Sequence, residues 1–151
     1  MVMTTDQAAP RRPAARVSRR DRRRGAAAVE FAVVASLLFL LVFGIIEIGR
    51  AMMVMEMLNN GARNGARVGT LAGSSNTDVT NAVNSALASG GFSGTTTAVQ
   101  VNGQAGNVNS AAPGDSITVT VQVPYNNVTW LPASMFLAGR TLSSTVVMRH
   151  E

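Results

Sequence analysis

Few side chains in this sequence are placed to do chemistry, and Glu30 stands out among them. It follows Arg22-Arg23-Arg24-Gly25-Ala26-Ala27-Ala28-Val29 and heads an otherwise apolar run that continues to Ile46. The span from Ala26 to Ile46 is 21 residues, or about 31 Å as a helix, which matches the hydrocarbon core of a bilayer. A carboxylate near that core costs on the order of a few kcal/mol, less near the end of the span than at its centre. A charge kept at such a cost must be paired or read by a partner. Glu47 and Arg50, at i and i+3, are spaced to pair as the helix leaves the membrane. Glu30 and Glu47 lie about 100° apart around a helix and do not form a paired-carboxylate site.

Other chemistries find no footing. His150 is the only histidine and stands near the C-terminus, where a solvated tail residue is expected. It has no companions for a catalytic triad or a zinc site. Asp78 and Asp115 read as cap or loop residues, and there is no P-loop or dinucleotide fingerprint. Met52, Met53, Met55 and Met57 could be taken for a Cu(I) site, but a flexible apolar contact surface is the plainer reading. No catalytic residue, metal or cofactor is expected, and without cysteine no disulfide forms.

The charge distribution gives an orientation. Residues 1–25 hold eight arginines (Arg11, Arg12, Arg16, Arg19, Arg20, Arg22, Arg23 and Arg24) against Asp6 and Asp21, while residues 26–151 are close to neutral. The positive-inside bias places the N-terminus in the cytoplasm and the chain beyond about residue 50 outside. The basic character belongs to the leader alone, so a nucleic-acid-binding domain is not indicated. A twin-arginine signal would need apolar residues where Asp21-Arg22-Arg23 stands. A conventional signal peptide would have a shorter apolar core followed by a small-x-small site.

Gly25, four small or apolar residues, then Glu30-Phe31 resembles the processing motif of type IV prepilins. With Phe43-Gly44-Ile45-Ile46-Glu47-Ile48-Gly49-Arg50 and Ala62-Arg63-Asn64-Gly65-Ala66-Arg67, the chain is similar to TadE-like pseudopilins of tight-adherence (Flp) pilus systems. The resemblance covers roughly residues 22–72. It implies a prepilin peptidase of the inner membrane cutting between Gly25 and Ala26, where glycine offers no side chain to obstruct a protease and tolerates an extended backbone. It also implies an assembly role for Glu30, which the new ammonium of the same or a neighbouring subunit would neutralise. The implied partners are the inner membrane, the peptidase, other pilins or pseudopilins and the pilus assembly platform. A minor component is implied, since major pilins of this system are much shorter. The alternative is an uncleaved single-span envelope anchor with a small binding or scaffold domain.

The expected architecture is α+β: a basic leader (1–25), a transmembrane helix (26–48), its continuation (49–72) and a small extracytoplasmic domain (73–151). Gly61, Gly65 and Gly69 recur every four residues, making a small face fit for close packing, expected against the domain's own sheet. Thr77 is placed to cap a helix carrying Val79, Ala82, Val83, Ala86 and Leu87, ended by Gly90-Gly91. Strands are expected at Thr96 to Val101, Ile117 to Val123 and Thr141 to Met148. The polar stretch Asn102 to Ser116 is a loop whose composition also fits partial disorder. Tyr125, Trp130, Leu131, Met135 and Phe136 form a buried patch or a partner contact. A domain this small needs the long helix as one wall of its core.

Overall fold

In the computed structural model, residues 19–131 and 136–151 are described, with side chains from Arg23 onward. The leader up to Ser18, with Arg11, Arg12 and Arg16, lies outside the described residues, as does Met135. One helix, α1 (Arg19–Gly69), takes in both the expected transmembrane segment and its continuation. No proline interrupts it. The chain divides into two compact units, Met1–Leu40 and Leu41–Glu151. In the first, the side chains from Arg23 are exposed save for the half-buried Ala35.

In the second unit, α1 acquires a buried face. Gly44, Glu47, Arg50, Ala51, Val54, Leu58, Gly61, Ala62, Gly65, Ala66, Gly69 and Thr70 are buried, at steps of one, three and four residues. This is the helical period. The burial begins at Gly44, inside the stretch expected to end at 48.

Against this face pack α2 (Asn76–Leu87) and a four-stranded antiparallel sheet. The strands are β1 (Thr96–Val101), β2 (Gln104–Ala105), β3 (Ser116–Pro124) and β4 (Thr141–Arg149), in the order β2-β1-β3-β4. Alternation in β3 turns Ile117, Val119, Val121 and Val123 inward. Ile117 faces Met148 and Val119 faces Val146 across the β3–β4 pair. On the opposite face Thr120 and Thr145, also register partners, share a hydrogen bond of 3.0 Å. Ala51, Val54, Leu58, Ala62 and Ala66 of α1 join Val79, Val83 and Leu87 of α2 and the β3 residues in one core. The long helix is therefore a wall of that core, and burying Leu58 or Val54 there is worth about 1.5–3 kcal/mol each.

Two local readings are corrected. The N-cap of α2 is Ser75, not Thr77: its hydroxyl accepts from the Asp78 N–H, and the Asp78 carboxylate accepts from the Ser75 N–H. That reciprocal box satisfies two orphan donors where a cap at Thr77 would satisfy one. The stretch from Asn102 to Ser116 is tied down. Asn102 and Gly103, both at positive φ, turn β1 into β2. Asn102 also donates to Asp115 (2.8 Å) and accepts from the Ser116 N–H (3.0 Å). From α2, Asn76 donates to the Gly106 carbonyl and accepts from the Val108 N–H.

Candidate functional site

The prepilin-like motif lies on the exposed part of α1. Gly25, Ala26, Glu30 and Phe31 are all exposed, and a Cβ added at Gly25 would meet nothing within 4 Å. The Gly25–Ala26 bond is helical. A protease that reads extended chain would have to unwind this turn. Glycine makes that about 1 kcal/mol easier than alanine would.

Glu47 and Arg50 go to unexpected partners. Glu47 is 1% exposed, and its carboxylate accepts from two successive backbone N–H groups, Phe136 (3.1 Å to Oε2) and Leu137 (2.8 Å to Oε1). Its backbone carbonyl also accepts from the buried Tyr125 hydroxyl at 3.0 Å. Arg50 is 6% exposed and donates from Nε to the Val128 carbonyl (2.8 Å) and from Nη2 to the Gly90 carbonyl (3.4 Å). Nη1 reaches the Met53 sulfur, and the guanidinium lies 4.4 Å from the centre of the Trp130 ring. Both charges thus enter the domain and are met by backbone groups at chain separations of 40 to 90 residues. A buried carboxylate or guanidinium is tolerable only with such hydrogen bonding.

The 3₁₀ turn Tyr125–Asn127, entered from the extended Pro124, positions the Tyr125 ring and the Val128 carbonyl. Burial pushes the Tyr125 hydroxyl above its ordinary pKa of 10.0, and the Glu47 charge raises it further. The anticipated aromatic patch splits. Tyr125 is fully buried, while Trp130 and Phe136 are exposed.

The glycine face packs chiefly on α2, with the sheet second. A Cβ at Gly65 would fall 2.5 Å from a Val83 methyl and 3.4 Å from Val119. At Gly61 it would meet Leu87 at 3.2 Å, and at Gly69 Ile117 at 3.1 Å and Val79 at 3.2 Å. At Gly65 the approach is closer than a Cβ allows, and at Gly61 and Gly69 a Cβ would fit only if its neighbours gave way slightly.

His150 is buried, not a solvated tail residue. Its N–H donates to the Asp115 carbonyl (2.8 Å) and its carbonyl accepts from the Gly114 N–H (2.9 Å). The Asp115 carboxyl is held below its ordinary value by the Asn102 side chain and the Ala112 N–H. Ser75 does the same for Asp78. Among the described residues no cluster of His, Asp or Glu could hold a metal ion.

These features define a class: a small α+β domain built onto a helix that is long and apolar enough to cross a membrane. Residues 25–67, which carry the motif, the polar pair and two glycines of the small face, Gly61 and Gly65, match the family model described as TadE-like protein. That match covers under a third of the chain. No curated protein and no solved structure matches.

Proposed function

We propose that this protein is a minor pseudopilin-like component for assembly of tight-adherence pili. In this reading α1 crosses the inner membrane with the arginine-rich leader in the cytoplasm and the domain outside. A prepilin peptidase cuts between Gly25 and Ala26, which removes the basic anchor and leaves Glu30 as the fifth residue of the mature chain. The new ammonium then lies about one helical turn from Glu30 and can neutralise it, in the same subunit or in a neighbour. The observation that carries the reading is the exposed Glu30-Phe31 pair, five residues beyond an unobstructed Gly25, inside the TadE-like segment.

The helical Gly25–Ala26 bond favours the other reading, an uncleaved anchor with a scaffold domain. N-terminal sequencing of membrane-extracted protein from cells expressing the cognate peptidase separates the two. An Ala26 N-terminus is expected, and Gly25→Leu should block cutting without impairing insertion. Wild-type protein that keeps residues 1–25 would select the uncleaved anchor.

A further inference from the structure

The unit Leu41–Glu151 has two unlike ends. Near Thr70, whose carbonyl accepts from the Glu151 N–H, the structure gathers Arg67, Asp115, His150 and Glu151. The end near Gly44 and Arg50 is different. Glu47 and Arg50, the only charges on α1 between Phe31 and Met55, are both drawn into the domain, so the first exposed charge after Glu30 is Glu56. What α1 shows outward instead is Ile45, Ile46, Ile48, Met52, Met53 and Met55. The chain that covers Glu47 and Arg50 continues the pattern, with no charged residue from Ser116 to Gly139.

That covering chain carries two aromatic rings held against α1 yet open on their other sides. Phe136 is 55% exposed, with Cε2 3.1 Å from where a Gly44 Cβ would stand, so it lies beside the apolar stretch. Trp130 is 66% exposed and stacks on Arg50, about 1.7 turns further along. An indole where the apolar stretch of α1 ends, over a cation and beside neutral backbone, has the composition of the membrane–water interface. There an amphipathic ring sits at headgroup level. Arg140, exposed at the same end through its backbone bond to Tyr125, adds a cation that anionic headgroups attract.

We infer that the domain rests on the bilayer, with Trp130 and Phe136 inserted at the lipid interface beside the exit of α1. This rests on the reading that α1 spans a membrane. The lipid surface is continuous with the exposed apolar face of α1, which is the reason to prefer it over a second protein chain as the occupant.

Trp130 is the only tryptophan, so the fluorescence of the full chain reports this position alone. The protein is reconstituted at low density into phosphatidylcholine–phosphatidylglycerol vesicles. Trp130 should emit to the blue of free tryptophan, and lipids brominated near the headgroup should quench it more than lipids brominated at the chain ends. Acrylamide quenching should be severalfold weaker than for free tryptophan, and Phe136→Ser should weaken the bromolipid effect. A water-like emission without bromolipid quenching, in protein that resists carbonate extraction, would overturn the inference and leave the membrane span standing. Shielding that disappears on further dilution in lipid would assign the surface to a second copy of the chain and overturn it too. Protein washed off by carbonate would remove the span reading and this inference together.

Discussion

Two carboxylates on one helix are handled in opposite ways. Glu30 sits on a stretch of α1 where side chains are exposed, and it is left available to something outside the chain. Glu47 is enclosed and saturated by its own domain, down to the N–H groups of Phe136 and Leu137. Both stand in nearly identical apolar surroundings in the sequence, so residue type and spacing cannot distinguish them. What differs is whether another part of the chain returns to cover the site. Glu47 is part of how the domain is fastened to α1. Among the described residues nothing covers Glu30, and in the proposed function its charge serves assembly.

The comparison is open to breakage at several points. The largest effect is expected for Glu47→Ala, which leaves the part-buried N–H groups of Phe136 and Leu137 without their charged acceptor and releases the chain that covers this turn of α1. A loss of about 2–3 kcal/mol should appear in the urea midpoint of the full-length protein in micelles, followed by Trp130 emission. An unchanged midpoint would place Glu47 in the same category as Glu30.

Gly65→Ala comes next. Its methyl would overlap Val83 and should cost about 1–3 kcal/mol. Gly49→Ala, where a Cβ meets nothing within 4 Å, should stabilise the same helix by up to about 1 kcal/mol. Opposite signs for two glycines of α1 would confirm that the close approach is confined to one face. Equal signs would remove it.

A smaller effect is expected at Tyr125. Losing the hydroxyl's bond to Glu47 in Tyr125→Phe should cost about 1 kcal/mol. The folded state holds this phenol's proton more tightly than the unfolded chain does. Its contribution is therefore complete below pH 10.0 and is lost as pH rises through the higher folded value. Tyr125 is the only tyrosine, so its phenolate absorbance can be followed directly, and Tyr125→Phe should flatten the alkaline decline. At the smallest end, Glu30→Gln should leave the melting temperature unchanged while abolishing piliation. A fully piliated Glu30→Gln strain would show the charge is tolerated and not used.

Much of the fold was legible because regular elements bury regular patterns. The alternation from Ile117 to Val123 could only be a half-buried strand, and β1 and β4 were readable by the same period. β2 was missed because two residues have no period; only the Asn102-Gly103 turn announced it. The cap at Ser75 was in plain sight as Ser-x-x-Asp and lost to the nearer Thr77. For the polar site, Glu47 and Arg50 could be singled out by charge in an apolar context, but their partners could not. Those partners are backbone groups of Gly90, Val128, Phe136 and Leu137, and a backbone group has no sequence signature. His150 shows the same limit, since its burial comes from main-chain pairing with Gly114 and Asp115.

Because α1 is made first and the strand that completes the sheet, β4, is made last, the order of synthesis bears on how this core closes. The stripe around Gly61, Gly65 and Gly69 gains cover from α2 soon after it is made, whereas Glu47 and Arg50 have to wait, unshielded, until Tyr125, Val128 and Leu137 have emerged. Contacts of such long sequence separation close slowly, and an exposed apolar stripe is sticky meanwhile. In the proposed topology, with the domain outside the membrane, export of this chain carries a window of vulnerability set by its order of elements. Any ribosome pausing or slow translocation beyond Pro124 would lengthen that window and give holding factors their opportunity to bind.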